Sequence, residues 1–240
     1  MSPIEIPYKE AALLLLNKQH LAGAKSSLGK LDEVQQLVKD LAYVQVDSIQ
    51  YVERAHHMIL QARGASYKQA HLHTLIEKQK TLFENWTHDA TVLPVDFFPY
   101  WKLRFEREQE RVASSSWWAA RGDDFEAEQT KVMNRIVKEG PLRARDFADD
   151  RPGRKGGLWE WDPTKTALEF LWRTGKLVIA GRDGFQKIYD LVENVIPNHL
   201  VEKELSHREI VDWACREAMN RLGLATPMEL AAFWGFIKRG

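Results

Sequence analysis

Lys176-Leu177-Val178-Ile179-Ala180-Gly181-Arg182-Asp183-Gly184-Phe185-Gln186-Lys187-Ile188-Tyr189 is two β-rich runs set around an Asp-Gly pair. That pattern predicts a hairpin. Upstream, Pro163 to Thr174 has the apolar spacing of a helix and is closed by Gly175, a residue suited to the left-handed turn after a helix. Before it, Phe125 to Glu139 reads as a helix ended by Gly140-Pro141, and Arg143 to Ala148 as a short helix. Three helices followed by a β-hairpin is the order of a winged helix. Pro163–Thr174 would be its recognition helix and Arg182–Gly184 its wing tip. Modules of this kind also occur packed only against protein, so the order alone names no partner.

Moving towards the N-terminus, Tyr8 to Leu21 and Leu31 to Leu41 read as helices; the second carries Leu31, Val34, Leu37, Val38 and Leu41 on one stripe. Between that helix and the run Glu53-Arg54-Ala55-His56-His57 lies Tyr43-Val44-Gln45-Val46-Asp47-Ser48-Ile49. In an extended backbone Val44 and Val46 face the core, while Tyr43, Gln45 and Asp47 face the other way. Asp47 then has two readings. It caps a helix starting at Ser48 with Gln50 as reciprocal partner, or it forms with Gln45 a pair able to hold one water or one sugar. Tyr67 to Gln79 reads as a further helix, Thr81 to Trp86 as a strand and Pro94 to Val112 as a long helix rich in aromatics and Arg. Downstream, His207 to Leu222 is helical, and Thr226 caps a helix from Pro227 through Trp234 with Glu229 at the third position. The pattern reaches Gly240 without another recognition helix or wing, so a longer natural chain is expected. The expected division is residues 1–118, a first winged-helix-like module; 119–200, a second; and 201–240, the start of a third helix-turn-helix. The fold class is mainly α with small β-hairpins (α+β).

The chain has 240 residues, 44% hydrophobic and 28% charged, which is ordinary globular composition. Lys+Arg and Asp+Glu both number 34, so the overall field does not attract polyanions, and nucleic acid would have to be held by local patches. Candidates for such contacts are Arg54, His56, Arg143, Arg145, Arg154, Lys155, Lys165, Arg173 and Arg182. The longest apolar run, Ala11 to Leu16, is far short of the ~20 residues of a membrane span. The N-terminus shows no secretory pattern. A lone cysteine, Cys215, rules out an internal disulfide, fits a reducing compartment and sits at a core-like helix position. The pairs His56/His57 and His71/His73 lack an HExxH-type spacing and have no Cys beside them, so no metal is expected. The tryptophans at 117, 118, 159, 161 and 172 read as packing residues.

Gln45-Val46-Asp47-Ser48 with Arg54-Ala55-His56-His57 resembles the YcaQ/AlkX branch of the AlkZ-like (HTH_42) winged-helix DNA glycosylases. Leu82-Phe83-Glu84-Asn85-Trp86-Thr87-His88-Asp89-Ala90 and Gly184-Phe185-Gln186-Lys187-Ile188-Tyr189-Asp190-Leu191 match in the same order. The likeness runs over most of residues 8 to 235. It implies tandem winged helices followed by a β-barrel, and the barrel has no counterpart in this chain. It also implies removal of N-alkylated (N7-alkylguanine-type) purines from double-stranded DNA, extending in this branch to interstrand crosslinks. The catalytic element of the resemblance is Gln-apolar-Asp, here Gln45 and Asp47. No cofactor, a monomeric state and a cytoplasmic, nucleoid-associated place in a bacterium go with it. A non-catalytic winged-helix DNA-binding regulator is the alternative; it would dimerise and favour a palindrome.

Overall fold

The computed structural model describes residues 5–114, 122–150 and 162–237. The candidate contacts Arg154 and Lys155 and the tryptophans at 117, 118, 159 and 161 lie outside these residues.

Helices α1 (Tyr8–Lys18) and α2 (Leu31–Leu41) lead into β1 (Val44–Gln45). Then come α3 (Ala55–Arg63), α4 (Gln69–His73) with a π-helical turn over Thr74–Lys78, β2 (Leu82–Trp86) and β3 (Ala90–Pro94). A 3₁₀ segment, Val95–Trp101, runs into α5 (Lys102–Ala113). The order then repeats: α6 (Gly122–Glu139), β4 (Leu142–Arg143), a 3₁₀ turn at Ala144–Asp150, α7 (Pro163–Arg173), β5 (Leu177–Asp183) and β6 (Gln186–Leu191). Four helices follow: α8 (Val192–Val195), α9 (Asn198–Val201), α10 (His207–Leu222) and α11 (Pro227–Trp234). Among the described residues no helix is long and apolar enough to cross a membrane.

All the strands join one antiparallel sheet in the order β1-β3-β2-β5-β6-β4. Each half contributes a two-residue edge strand and a hairpin, and the halves meet where Glu84 of β2 opposes Ile179 of β5. Val44, Val92, Glu84, Ile179, Tyr189 and Leu142 oppose one another in turn across all six strands. Opposed residues share a face, and this row is covered by the core that contains Leu37, Leu75, Leu168 and Trp172. The residues beside that row on β2, β3 and β5 include Phe83, Leu93 and Val178, and these enter a second core with Trp101, Ala214 and Trp234. The central strands are therefore buried on both faces. That is why β3 (Ala-Thr-Val-Leu-Pro) shows no apolar–polar alternation to mark it in the sequence.

The expected cap at Thr226 and the expected hairpin are present, and a further cap opens α10. Ser206 Oγ accepts from Glu209 N–H at 3.3 Å while the Glu209 carboxylate accepts from Ser206 N–H at 2.8 Å. Thr226 and Glu229 repeat that reciprocal cap. The hairpin turns on Gly184 and Phe185, between paired Asp183 and Gln186, with Gly184 at φ +61. The Gly therefore holds the first central position of the turn, the II′ arrangement, rather than the second.

Other expectations need correction. No helix begins at Ser48: the carboxylate of Asp47 turns the chain at Ile49, and helix resumes only at Ala55. Helix 67–79 starts at Gln69 and loosens into a π turn, and helix 94–112 opens with 3₁₀ turns because Pro99 cannot supply an α-helical hydrogen bond. Cys215 is half-buried, beside the buried stripe of Ile210, Ala214 and Ala218.

Gly64 shows how closely the first half is packed. A Cβ there would lie 2.1 Å from Leu28 Cδ1 and 2.5 Å from its Cβ, so Leu28 cannot move aside by rotation alone. Gly64→Ala is expected to lower stability by about 1–3 kcal/mol in urea titrations. An unchanged midpoint would show that the Leu28 backbone yields.

Candidate active site

Val44 and Val46 are buried, and between and after them Gln45 is exposed and Asp47 half-buried. Val46 N–H donates to Ala90 O at 2.7 Å, which carries the pairing one residue past β1. Asp47 sits where that pairing stops. Its Oδ1 accepts from Ile49 N–H at 2.8 Å, and among the described residues its other oxygen and the Gln45 amide have no protein partner. The edge of the sheet thus holds a carboxylate and an amide, two residues apart and open to solvent, on a backbone pinned by two buried valines. The loop that follows presents Ile49, Tyr51 and Val52 outward, with Tyr51 97% exposed.

Beneath this edge, on the Val44/Val46 face, lies a buried polar group. Arg182 donates to both Glu84 oxygens, at 2.9 and 2.5 Å, and to Phe185 O at 2.7 Å. The Arg54 and Arg182 guanidiniums stack on Phe185, 4.6 and 4.2 Å from its ring centre. His57 Nδ1 and Tyr67 Oη are 2.8 Å apart. His56, only 6% exposed, has its ring 4.2 Å from that of His57 and an Nδ1 with no hydrogen-bond partner. Burial, and after it the nearby charges of His57 and Arg182, push the pKa of His56 down to about 3, so it is held neutral. A cavity of about 40 Å³ lies between Val46, His56, His73, Glu77, Glu84 and Arg182. It is large enough for ordered water and too small for a purine.

The sign of the resulting pH effect is fixed. The folded chain holds His56 neutral, whereas the unfolded chain protonates it below about 6.5, so the unfolded state binds more protons between about pH 6.5 and 3. Stability is therefore expected to fall on acidification through this window, by up to about 1.4 kcal/mol per pH unit from this residue. Urea midpoints between pH 7 and 5 measure it. A His56→Leu chain with the same slope as wild type would assign the effect elsewhere.

The other residues singled out from the sequence are placed differently from Gln45 and Asp47. His56 and Arg182, expected as nucleic-acid contacts, are respectively buried and locked to Glu84, so neither offers a free charge to solvent. Arg143 donates to Asp146 at 2.8 Å and to Asp183 at 2.6 Å, and Arg145 also pairs with Asp183. These two occupy in the second half the place that Gln45 and Asp47 occupy in the first: the end of the edge strand and two residues beyond. The strand directions send the two pairs towards opposite ends of the sheet. Lys165 is exposed at the start of α7. Arg173 lies over the Trp86 ring, 3.7 Å from its centre, and 3.6 Å from Glu108. Glu84 escaped sequence reasoning, although a carboxylate inside the apolar run Leu82-Phe83-Glu84 was a signal that a buried cation waits opposite it.

Fold and site together define an α+β protein in which two helix–hairpin halves share one sheet and a Gln-apolar-Asp element ends its exposed edge. The family model for AlkZ-like DNA glycosylases matches residues 38–240, and the chain belongs to that family. The fold is also similar to Streptomyces sahachiroi DNA glycosylase AlkZ, with a TM-score of 0.65 and 12% sequence identity. That alignment takes in 97% of this chain and 65% of the AlkZ chain.

Proposed function

We propose that this chain is a monofunctional DNA glycosylase of the Gln-apolar-Asp branch, hydrolysing the N-glycosidic bond of N7-alkylguanine-type purines and unhooking interstrand crosslinks of that chemistry. On this reading the two halves are winged-helix modules and residues 201–240 open a third, with duplex DNA as the partner of a monomer. The observation that carries the proposal is the solvent-open placement of Gln45 and Asp47 on a rigid edge, in a chain of this family.

A purine alkylated at N7 carries a positive charge and leaves as a neutral base, so no acid is needed on the leaving side. Water attacks C1′, the C1′–N9 bond breaks, and the bonding pair goes to the base. Asp47 takes the proton from the water and offsets the positive charge developing on the sugar. Gln45, with a donor and an acceptor, orients that water. The small cavity beneath Val46 does not take up the base, which accords with a lesion tethered to both strands that is attacked in an open cleft. Arg54, Arg143, Arg145, Arg154, Lys155, Lys165 and Arg173 are the proposed phosphate contacts; Arg143, Arg145 and Arg173 would exchange their present carboxylate partners for DNA.

The test is base release from a duplex with one N7-methylguanine, followed by a duplex carrying a nitrogen-mustard crosslink. The expected products are free base and an abasic strand that breaks only on later alkali treatment. Sequence-selective binding without release would replace the proposal with a regulator.

A further inference from the structure

Helix α5 carries Arg104, Arg107 and Arg111 at i, i+3 and i+7, which places them along one stripe. Arg173 joins them from the end of α7. Between them lies one buried carboxylate, Glu108, which accepts from Arg111 at 3.1 and 2.7 Å. Glu110 stands exposed at the rim. Three guanidiniums, those of Arg111, Arg173 and Arg104, thus act on one buried acid, and Arg107 lines the same cavity. Arg104 Nε and Arg107 Nη1 are buried without a hydrogen-bond partner. Burial, with Arg173 and Arg111 adding to it and Glu108 opposing, brings the Arg104 pKa down to about 10. Orphaned guanidinium donors beside same-sign neighbours are the arrangement expected where an oxyanion belongs. A cavity of about 500 Å³ opens onto Arg104, Arg107 and Arg111, with Glu108, Ser114 and Gly235 also on its wall.

The position of this cavity is informative. Val46 pairs with Ala90, Ala90 opposes Trp86, and Arg173 stacks on Trp86. On the other side, Tyr43 Oη and His88 Nε2 both donate to Phe233 O, two residues before Gly235. The arginines therefore lie at the same end of the sheet as Asp47, whereas Arg143 and Arg145 lie at the far end.

We infer that Arg104, Arg107 and Arg111, with Arg173 beside them at Glu108, form a binding pocket for one backbone phosphate of the DNA strand flanking the nucleotide at Gln45 and Asp47. This rests on the proposed glycosylase reading and adds a fixed register to it. The pocket anchors one phosphate and so sets which nucleotide reaches Asp47.

The test measures binding of the full chain to a duplex with a stable tetrahydrofuran abasic analogue, over a range of salt and with single methylphosphonate linkages placed in turn along each strand. For wild type, one linkage close to the analogue should weaken binding about tenfold. Arg107→Gln should be clearly less sensitive to that linkage than wild type and should lower the salt slope by about one. Arg107→Lys, which keeps the charge and loses the fork, should recover the slope but only part of the affinity, and thermal melts of both variants confirm folding. A methylphosphonate scan equally flat for wild type and variants overturns the proposal. Protection of wild type by millimolar inorganic phosphate together with a flat scan overturns it in favour of a free-phosphate site. Base release is followed in parallel. If wild type releases base and the scan is flat, the pocket is wrong and the glycosylase reading stands. If the scan gives one position and no base is released, the pocket stands and the glycosylase reading falls.

Discussion

Asp47→Asn is expected to reduce single-turnover base release from an N7-methylguanine duplex by about 10²–10⁴-fold, the range for a positioned general base. The substitution is suited to the question because it leaves the local structure its support. Asn keeps an oxygen able to accept from Ile49 N–H, which Asp47 now does at 2.8 Å, and Val44 and Val46 stay buried. What it removes is the charge that, on the proposed reading, takes the proton of water and faces the developing cation on the sugar. Melting temperature and DNA affinity should therefore match wild type, and the loss should fall on the chemical step. An Asn chain with wild-type release would remove Asp47 from the mechanism. Gln45→Ala should lower release with the carboxylate intact, through the loss of orientation of the water.

The second large effect concerns stability. Glu84 is 2% and Arg182 12% exposed, and their ion pair lies where β2 of the first half meets the second half. Glu84→Ala leaves a guanidinium buried without its counter-charge, and a loss of about 3–5 kcal/mol is expected. Arg182→Met should cost a similar amount by stranding the carboxylate. Changing both together, Glu84→Leu with Arg182→Met, should cost much less than the sum, because no charge is left stranded. Urea titration of the four chains measures the coupling. Additive losses would show that the two charges act independently.

The parts of this fold that were legible in the sequence are those governed by local chemistry. Thr226 and Pro227 mark a helix start, Gly184 marks the hairpin, and Leu31 to Leu41 carries a single apolar stripe. The parts that were not legible depend on partners distant in the chain. β3 lacks alternation because a core covers each of its faces. Asp47 has the spacing of a helix cap, but Ile49 takes its oxygen and the chain runs on as a loop. Arg182 reads as a wing-tip cation until Glu84, distant in sequence, is found opposite it. Of the candidate site, Gln45 and Asp47 were readable as an outward-facing pair beside inward valines. The cluster on α5 was not, since Arg104, Arg107 and Arg111 resemble any solvated helix face until Glu108 and Arg173 are seen among them.

The two edge strands, β1 and β4, are only two residues long. A sheet with long open edges invites another chain to pair with it and so to aggregate. Here pairing beyond Gln45 is limited to the single Val46–Ala90 bond, after which Asp47 turns the chain away. The shortness that leaves Gln45 and Asp47 open to solvent also denies a foreign strand a template at that edge. Lengthening β1, for instance by restoring regular strand geometry after Asp47, would close the site and expose a sticky border in the same step.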